Sequence, residues 1–201
     1  MKLISIDAET FALRDKAFAI SVVTHTTDGS QILFEKRIAE EPTHWPDQWV
    51  KENVWPQCQV IVETVEDTTE LYQSFSDWWL DMQVGTVDEQ LVVIAHCPNP
   101  VETGLFNTIA SEGYFAQSLK NRGMLEGYNI WDASSPKPSP MCIHDVGTLL
   151  LLKGENPHSV DSFLKKEGVI PPNGSPHNPR YDAIAALKAW VKITSRYGIP
   201  E

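Results

Sequence analysis

The sequence predicts an α/β domain built on a mixed central β-sheet flanked by helices, and three observations predict it. Three apolar segments of strand length follow one another before residue 39. Leu91-Val92-Val93-Ile94-Ala95 is a continuous apolar run that suits a parallel strand buried on both faces. The later part of the chain carries apolar residues at helical spacing. At 201 residues the chain is long enough for one sizeable core and short for two, so 1–201 is read as a single domain.

Residues 2–7, 17–27 and 31–38 are expected to form an antiparallel meander, with Asp28-Gly29 as the turn between the last two. The stretch 40–58 is rich in Pro and Trp and reads as a loop with one short helix near 46–53. Asp67 caps a helix whose apolar positions Leu71, Phe75, Trp78, Trp79 and Met82 share one face. After the 91–95 strand a helix should run from Val101 to Ser111. Asn129-Ile130-Trp131 reads as a further strand and Pro136 to Pro140 as a loop. Helices are then expected at His144 to Lys153 and at Ser159 to Glu167, the second stopped by Gly168. A last helix starts near Asp182, buries Ile184, Leu187 and Val191, and ends before Gly198-Ile199-Pro200.

Composition narrows the function classes. Only four residues separate Lys2 from Asp7, and no apolar run approaches the roughly 20 residues of a spanning helix, so a soluble, cytoplasmic protein with no membrane partner is expected. Three cysteines without C-x-x-C spacing suggest neither a disulfide framework nor a zinc knuckle. The net charge of −11 argues against long non-specific duplex binding. It is unevenly spread. Residues 1–140 hold 21 acidic and 9 basic side chains, whereas 141–201 hold 6 and 7, so the C-terminal third repels a polyanion least.

The first strand ends in Asp7-Ala8-Glu9-Thr10, and carboxylates two apart on a strand point to one face. Like charges that close call for a cation between them, most simply a divalent metal. At the other end of the chain, His177-Asn178-Pro179-Arg180-Tyr181-Asp182 opens a helix. Strand ends of a mixed sheet are where functional groups converge. Asp7, Glu9 and Asp182 meeting there would form a hard-oxygen site for two Mg²⁺ or Mn²⁺ ions about 3.5–4 Å apart, able to hold a phosphodiester, activate water and stabilise the leaving oxygen. His177 is placed to take the proton from that water.

With these motifs the chain resembles the DEDD-type 3′→5′ exonucleases, the DnaQ-like group of the RNase H-like superfamily. The His177-x4-Asp182 spacing matches the histidine subtype, DEDDh; the tyrosine subtype's position is here Asn178. Asp145-Val146-Gly147-Thr148-Leu149-Leu150 and Ser159-Val160-Asp161-Ser162-Phe163-Leu164 are similar to the family's paired helices, while 40–60 and 113–140 are the least familiar parts. The resemblance implies an RNase H-like fold, two divalent ions, and release of nucleoside 5′-monophosphates from the 3′ end of single-stranded RNA or DNA, with a homodimer left open. It departs at one motif. The family's middle Asp has no counterpart between Asp88 and Asp132, and Glu102 stands in its place, either as the fourth metal ligand or as a residue favouring a helix N-terminus.

The family's terminal-nucleotide contacts correspond to Thr10, Phe11 and Ala12, with core packing the alternative for Phe11. Arg180 is either a phosphate contact or a solvated side chain. His96 and Cys97 read as a packed core pair, Asp145 as a helix cap, Asp132 as a loop carboxylate, and Trp45, Trp49 and Trp55 as packing down their loop. Two other roles stand beside catalysis: an impaired nucleic-acid-binding domain of the same fold, and a proofreading subunit docking on a polymerase.

Overall fold

The computed structural model describes residues 2–26, 29–85 and 90–195. Its six strands are β1 (Lys2–Thr10), β2 (Ala17–Thr26), β3 (Gly29–Ile38), β4 (Thr64–Val65), β5 (Leu91–Ala95) and β6 (Ile143–Asp145). They lie in the order β4-β3-β2-β1-β5-β6. The β1, β2 and β3 strands pair antiparallel, whereas β1–β5, β5–β6 and β3–β4 pair parallel. This is the mixed α/β sheet between helices that the sequence predicts.

Eight helices complete the described chain: α1 (Gln48–Asn53), α2 (Trp55–Cys58), α3 (Thr68–Val84), α4 (Val101–Ser111), α5 (Tyr114–Asn121), α6 (Val146–Leu152), α7 (Val160–Lys166) and α8 (Pro179–Ser195). They divide between the two faces of the sheet. One core joins Ile4, Ile6 and Ala8 of β1 to the buried faces of α2, α3, α4 and α5. The other joins Leu3 of β1, Val23 of β2 and Ile94 of β5 to α6, α7 and α8. Because side chains alternate along a strand, this division sends Ser5, Asp7 and Glu9 to the α8 face.

The helix α8 lies close on β1 and β2 because its buried face is mostly alanine: Ala183, Ala185, Ala186 and Ala189, with Leu187 and Ile193. Ile184 and Val191, expected in the core, are only half-buried, since the close approach favours the small residues between them. The α3 face forms as expected under the Asp67 cap, with Leu71, Phe75, Trp79 and Met82 buried.

Several expectations are corrected. Asn129-Ile130-Trp131 forms turns, with Trp131 90% exposed, so its hydrophobic character does not reflect burial in a sheet. Ile143, His144 and Asp145 form edge strand β6, and the helix begins only at Val146, where the Asp145 carboxylate accepts from the backbone N–H of Gly147 (2.8 Å) and Thr148 (3.1 Å). The two-residue strand β4 and the helices α2 and α5 were not anticipated. The Asp28 part of the proposed turn and the Gly198-Ile199-Pro200 terminus lie outside the described residues.

Candidate active site

The β1 strand runs past its parallel neighbour: the β1–β5 pairing ends at Ser5 opposite Ile94, while β1 continues to Thr10. The sheet therefore opens beyond Ser5, and backbone groups on that edge need other partners. Glu102, in the first turn of α4, supplies one. Its Oε1 accepts the Ala8 N–H at 3.2 Å, and the side chain is 3% exposed. A shift in the β1–β2 register between Glu9 and Thr10 ends the regular ladder at the same place.

Opposite, the start of α8 is built by His177-Asn178-Pro179. Asn178 is buried and caps the helix, its Oδ1 accepting from Tyr181 N–H at 3.1 Å, and Pro179 takes the first helical position, where no N–H is needed. His177 turns the chain with φ of +64°, a left-handed conformation that costs a non-glycine residue energy and is enriched at functional sites. Its backbone N–H donates to Asp182 Oδ2 at 2.8 Å.

The Trp-rich segment braces this turn. Asn178 Nδ2 donates to the Gln57 carbonyl at 2.7 Å, Ser175 Oγ donates to Gln57 Oε1 at 2.5 Å, and the His177 ring meets Trp49 edge-on with centroids 5.2 Å apart. Trp45 and Trp55 pack as expected, against Phe18 and each other, but Trp49 remains 53% exposed because its partner is the His177 turn, not the core.

The result is a cleft of about 450 Å³ at the carboxyl ends of β1 and β5, with Asp7, Glu9, Glu102, His177 and Asp182 in its walls. Ligand atoms of Glu9, His177 and Asp182 lie within 4.8 Å of one another. Asp7 and Glu102 are not members of that triplet; the charge of Glu102 acts on Glu9, and Asp7 feels the charges of Asp182 and Glu9. Burial, then the charges of Asp182, Glu9 and Glu102, hold the Asp7 carboxyl well above the usual carboxylate range. Glu9 is raised in the same way by burial, Asp182 and Glu102. Burial pushes Glu102 up to about 8 against the stabilising backbone N–H groups, and Asp182 up to about 7 against the His177 N–H.

Among the described residues none of these four carboxylates is paired with a Lys or Arg. Four acids held together without an organic cation form a donor set that fits hard divalent ions. An ion pair bound there would lower the carboxyl pKa values and let all four ionise at neutral pH.

Other candidates fall elsewhere. Thr10, Phe11 and Ala12 are not among the residues lining the cleft. Thr10 is buried, and Phe11 packs on Phe18 and Trp45 with centroids 5.3 and 5.6 Å apart, the core-packing alternative. Arg180, read as either a phosphate contact or a solvated side chain, is paired with Glu35. Its Nε donates at 2.6 Å to Glu35 Oε1, which also accepts from Ser21 Oγ, and its Nη2 donates to Glu35 Oε2, so the guanidinium fixes α8 to β3. His96 and Cys97 are corrected from a core pair to cleft-wall residues. The chain leaves the sheet after Ala95, Cys97 is exposed with φ of +53°, and His96 Nε2 lies 2.7 Å from the Pro157 carbonyl.

Sequence reasoning missed Asp161 and His158 as cleft residues. Asp161 accepts from the Tyr181 hydroxyl at 2.9 Å, which joins α7 to α8, and its charge adds to the rise at Asp182. Partners 20 residues apart on separate helices leave no local pattern that could have flagged them.

No protein-family model matches the chain, and no curated protein does. Among solved structures it is similar to Exonuclease X in complex with 5′ overhanging duplex DNA, at 14% identity and a TM-score of 0.48, over 98% of this chain and 94% of that one. Likeness at that level transfers no residue roles, so the chemistry rests on the geometry of this cleft. No helix among the described residues is long and apolar enough to cross a membrane.

Proposed function

We propose that this chain is a metal-dependent 3′→5′ exonuclease that removes nucleoside 5′-monophosphates from single-stranded RNA or DNA. The observation that carries the reading is the meeting of Asp7 and Glu9 from β1, Glu102 from α4 and Asp182 from α8 in one cleft, with the His177 ring beside them.

Asp7, Glu9, Glu102 and Asp182 would hold two Mg²⁺ or Mn²⁺ ions, which supply Lewis acidity toward the phosphodiester and its attacking water. His177 accepts the proton from that water. Its exposed ring, held edge-on by Trp49 and by the capped turn, is within reach of solvent while its backbone is fixed to Asp182. Glu102 can serve the metal through its second oxygen while Oε1 keeps the Ala8 N–H, which accommodates the longer side chain where the resembled family has Asp.

Purified protein with Mn²⁺ should shorten an oligonucleotide, and Asp7→Ala or Asp182→Ala should abolish hydrolysis with the circular dichroism unchanged. Hydrolysis surviving excess EDTA, or surviving both substitutions, overturns the reading. A second reading, a binding domain with impaired catalysis, is favoured by the engagement of Glu102 Oε1 with the backbone. Tight binding of strand ends by calorimetry, without metal-dependent turnover, would select it.

A further inference from the structure

A cleft of about 660 Å³ lies at the opposite end of β5 from the carboxylates, between the last turns of α3, the start of β5 and the segment that leads into β6. Its lining holds four sulfur or nitrogen donors: Met124, Met141, Cys142 and His144. We propose that this cleft binds one Cu(I) ion, held by the Cys142 thiolate and the His144 imidazole with a methionine thioether beside them. The site is separate from the carboxylate cleft, and its test needs no catalysis.

The pair is set by the strand. Ile143 pairs with Val93 and His144 with Ile94, so Cys142 and His144, two residues apart, share a face at the edge of the sheet. Cys142 Sγ and His144 Nε2 are 3.4 Å apart, and both residues are exposed. At the usual metal–sulfur and metal–nitrogen lengths of about 2.3 Å and 2.0–2.1 Å, donors at that spacing subtend roughly 100° at a shared ion, close to the tetrahedral angle. The His144 ring packs against Trp190 of α8 with centroids 5.5 Å apart, so this donor is placed before an ion arrives. Met141 adjoins Cys142 in the chain and is fully exposed, and its flexible side chain brings a third soft donor within reach.

Two observations choose the ion. The first is donor softness: thiolate and thioether select Cu(I), whereas carboxylates suit hard ions. The chain has 27 acidic residues, yet no Asp or Glu lines this cleft among the described residues. The second is charge. Cu(I) displaces the thiol proton to solvent, so the ion and one thiolate sum to zero, which suits walls made apolar by Trp79, Val84, Leu91, Val92 and Pro136. A divalent ion on the same donors would keep a positive charge with no carboxylate in the described lining to offset it. Lys137 also lines the cleft, its ammonium tied to the Ile130 and Asp132 carbonyls, and adds to that repulsion.

The test supplies Cu(I) without oxygen as its coloured bicinchoninate complex and titrates in the protein. The wild type should withdraw one equivalent per chain, and Cys142→Ser and His144→Gln should each weaken withdrawal about tenfold or more. Tenfold excess Zn²⁺ should leave the Cu(I) bound. Alkylation by iodoacetamide, followed at each cysteine by peptide mass mapping, should slow about tenfold or more at Cys142 when Cu(I) is present and stay unchanged at Cys97. If His144→Gln fails to fold, Cys142→Ser, at an exposed residue, decides alone. No withdrawal by the wild type, withdrawal unaffected by Cys142→Ser, displacement of Cu(I) by Zn²⁺, or protection of Cys97 in place of Cys142 overturns the proposal.

Discussion

Glu102→Gln isolates the energetic consequence of burying acids without an organic cation. The amide keeps an oxygen for the Ala8 N–H and nearly the same volume, so packing and the β1–α4 link are retained while the charge is removed. The Glu102 carboxyl sits at about 8 in the folded protein against an ordinary 4.5. A raised acid pKa means the native state holds a proton that the unfolded chain has released. Stability therefore falls as pH rises through the window from 4.5 to 8, with no effect of this group below it and the full effect above it. Each unit is worth about 1.4 kcal/mol, so the wild type in EDTA should be on the order of 3–5 kcal/mol less stable from this group at pH 9 than at pH 4.5.

Urea denaturation in EDTA at pH 5, 7 and 9 reads this directly. The variant should match the wild type near pH 5 and exceed it by several kcal/mol at pH 9, and Mn²⁺ should narrow the gap by stabilising the wild type more. A variant that is equally or less stable than the wild type at pH 9 in EDTA refutes the electrostatic argument, because it would mean that the Glu102 charge is already compensated in the protein.

Further outcomes follow from the same contacts. Asn178→Ala removes the α8 cap and the bond to Gln57, and should lower stability by about 1–3 kcal/mol and reduce kcat by loosening the His177 turn, read by thermal melting and steady-state kinetics. Arg180→Ala leaves Glu35, whose side chain is 9% exposed, without its cation, and should cost about 3–5 kcal/mol; Arg180→Ala/Glu35→Gln should recover most of that loss, whereas a phosphate-binding role would leave stability untouched and raise KM. His177→Ala should retain Mn²⁺ binding by calorimetry while turnover falls about 10²-fold or more; full activity would remove the histidine from the mechanism.

The parts of this fold that were legible in the sequence are those decided by local chemistry. Alternation in β1 announced that Asp7 and Glu9 share a face, the Asp67 cap and its apolar stripe announced α3, and the apolar run at Leu91 announced a parallel strand. What was not legible depends on distant partners. The β4 strand is two residues long and exists through its pairing with Arg37 and Ile38. In β6, His144 and Asp145 are polar residues on an edge strand, so their pairing with Ile94 and Ala95 leaves no period-two apolar pattern. The same limit applied at the cleft. The residues meeting at the two ends of the chain were visible as motifs, but the commitment of Arg180 to Glu35 and the bracing of His177 by Trp49 and Gln57 join segments 120 or more residues apart.

The central claim, that the four carboxylates and His177 form a metal-dependent exonuclease site, meets its most direct test in one gel. Matched single-stranded RNA and DNA, each labelled at the 5′ end, are incubated with Mn²⁺ and with EDTA. A ladder of labelled products shortening from the 3′ end on at least one sugar, present with Mn²⁺ and absent with EDTA, is the predicted result. Full-length label in every lane, internal cleavage, or a ladder that persists in EDTA would contradict it.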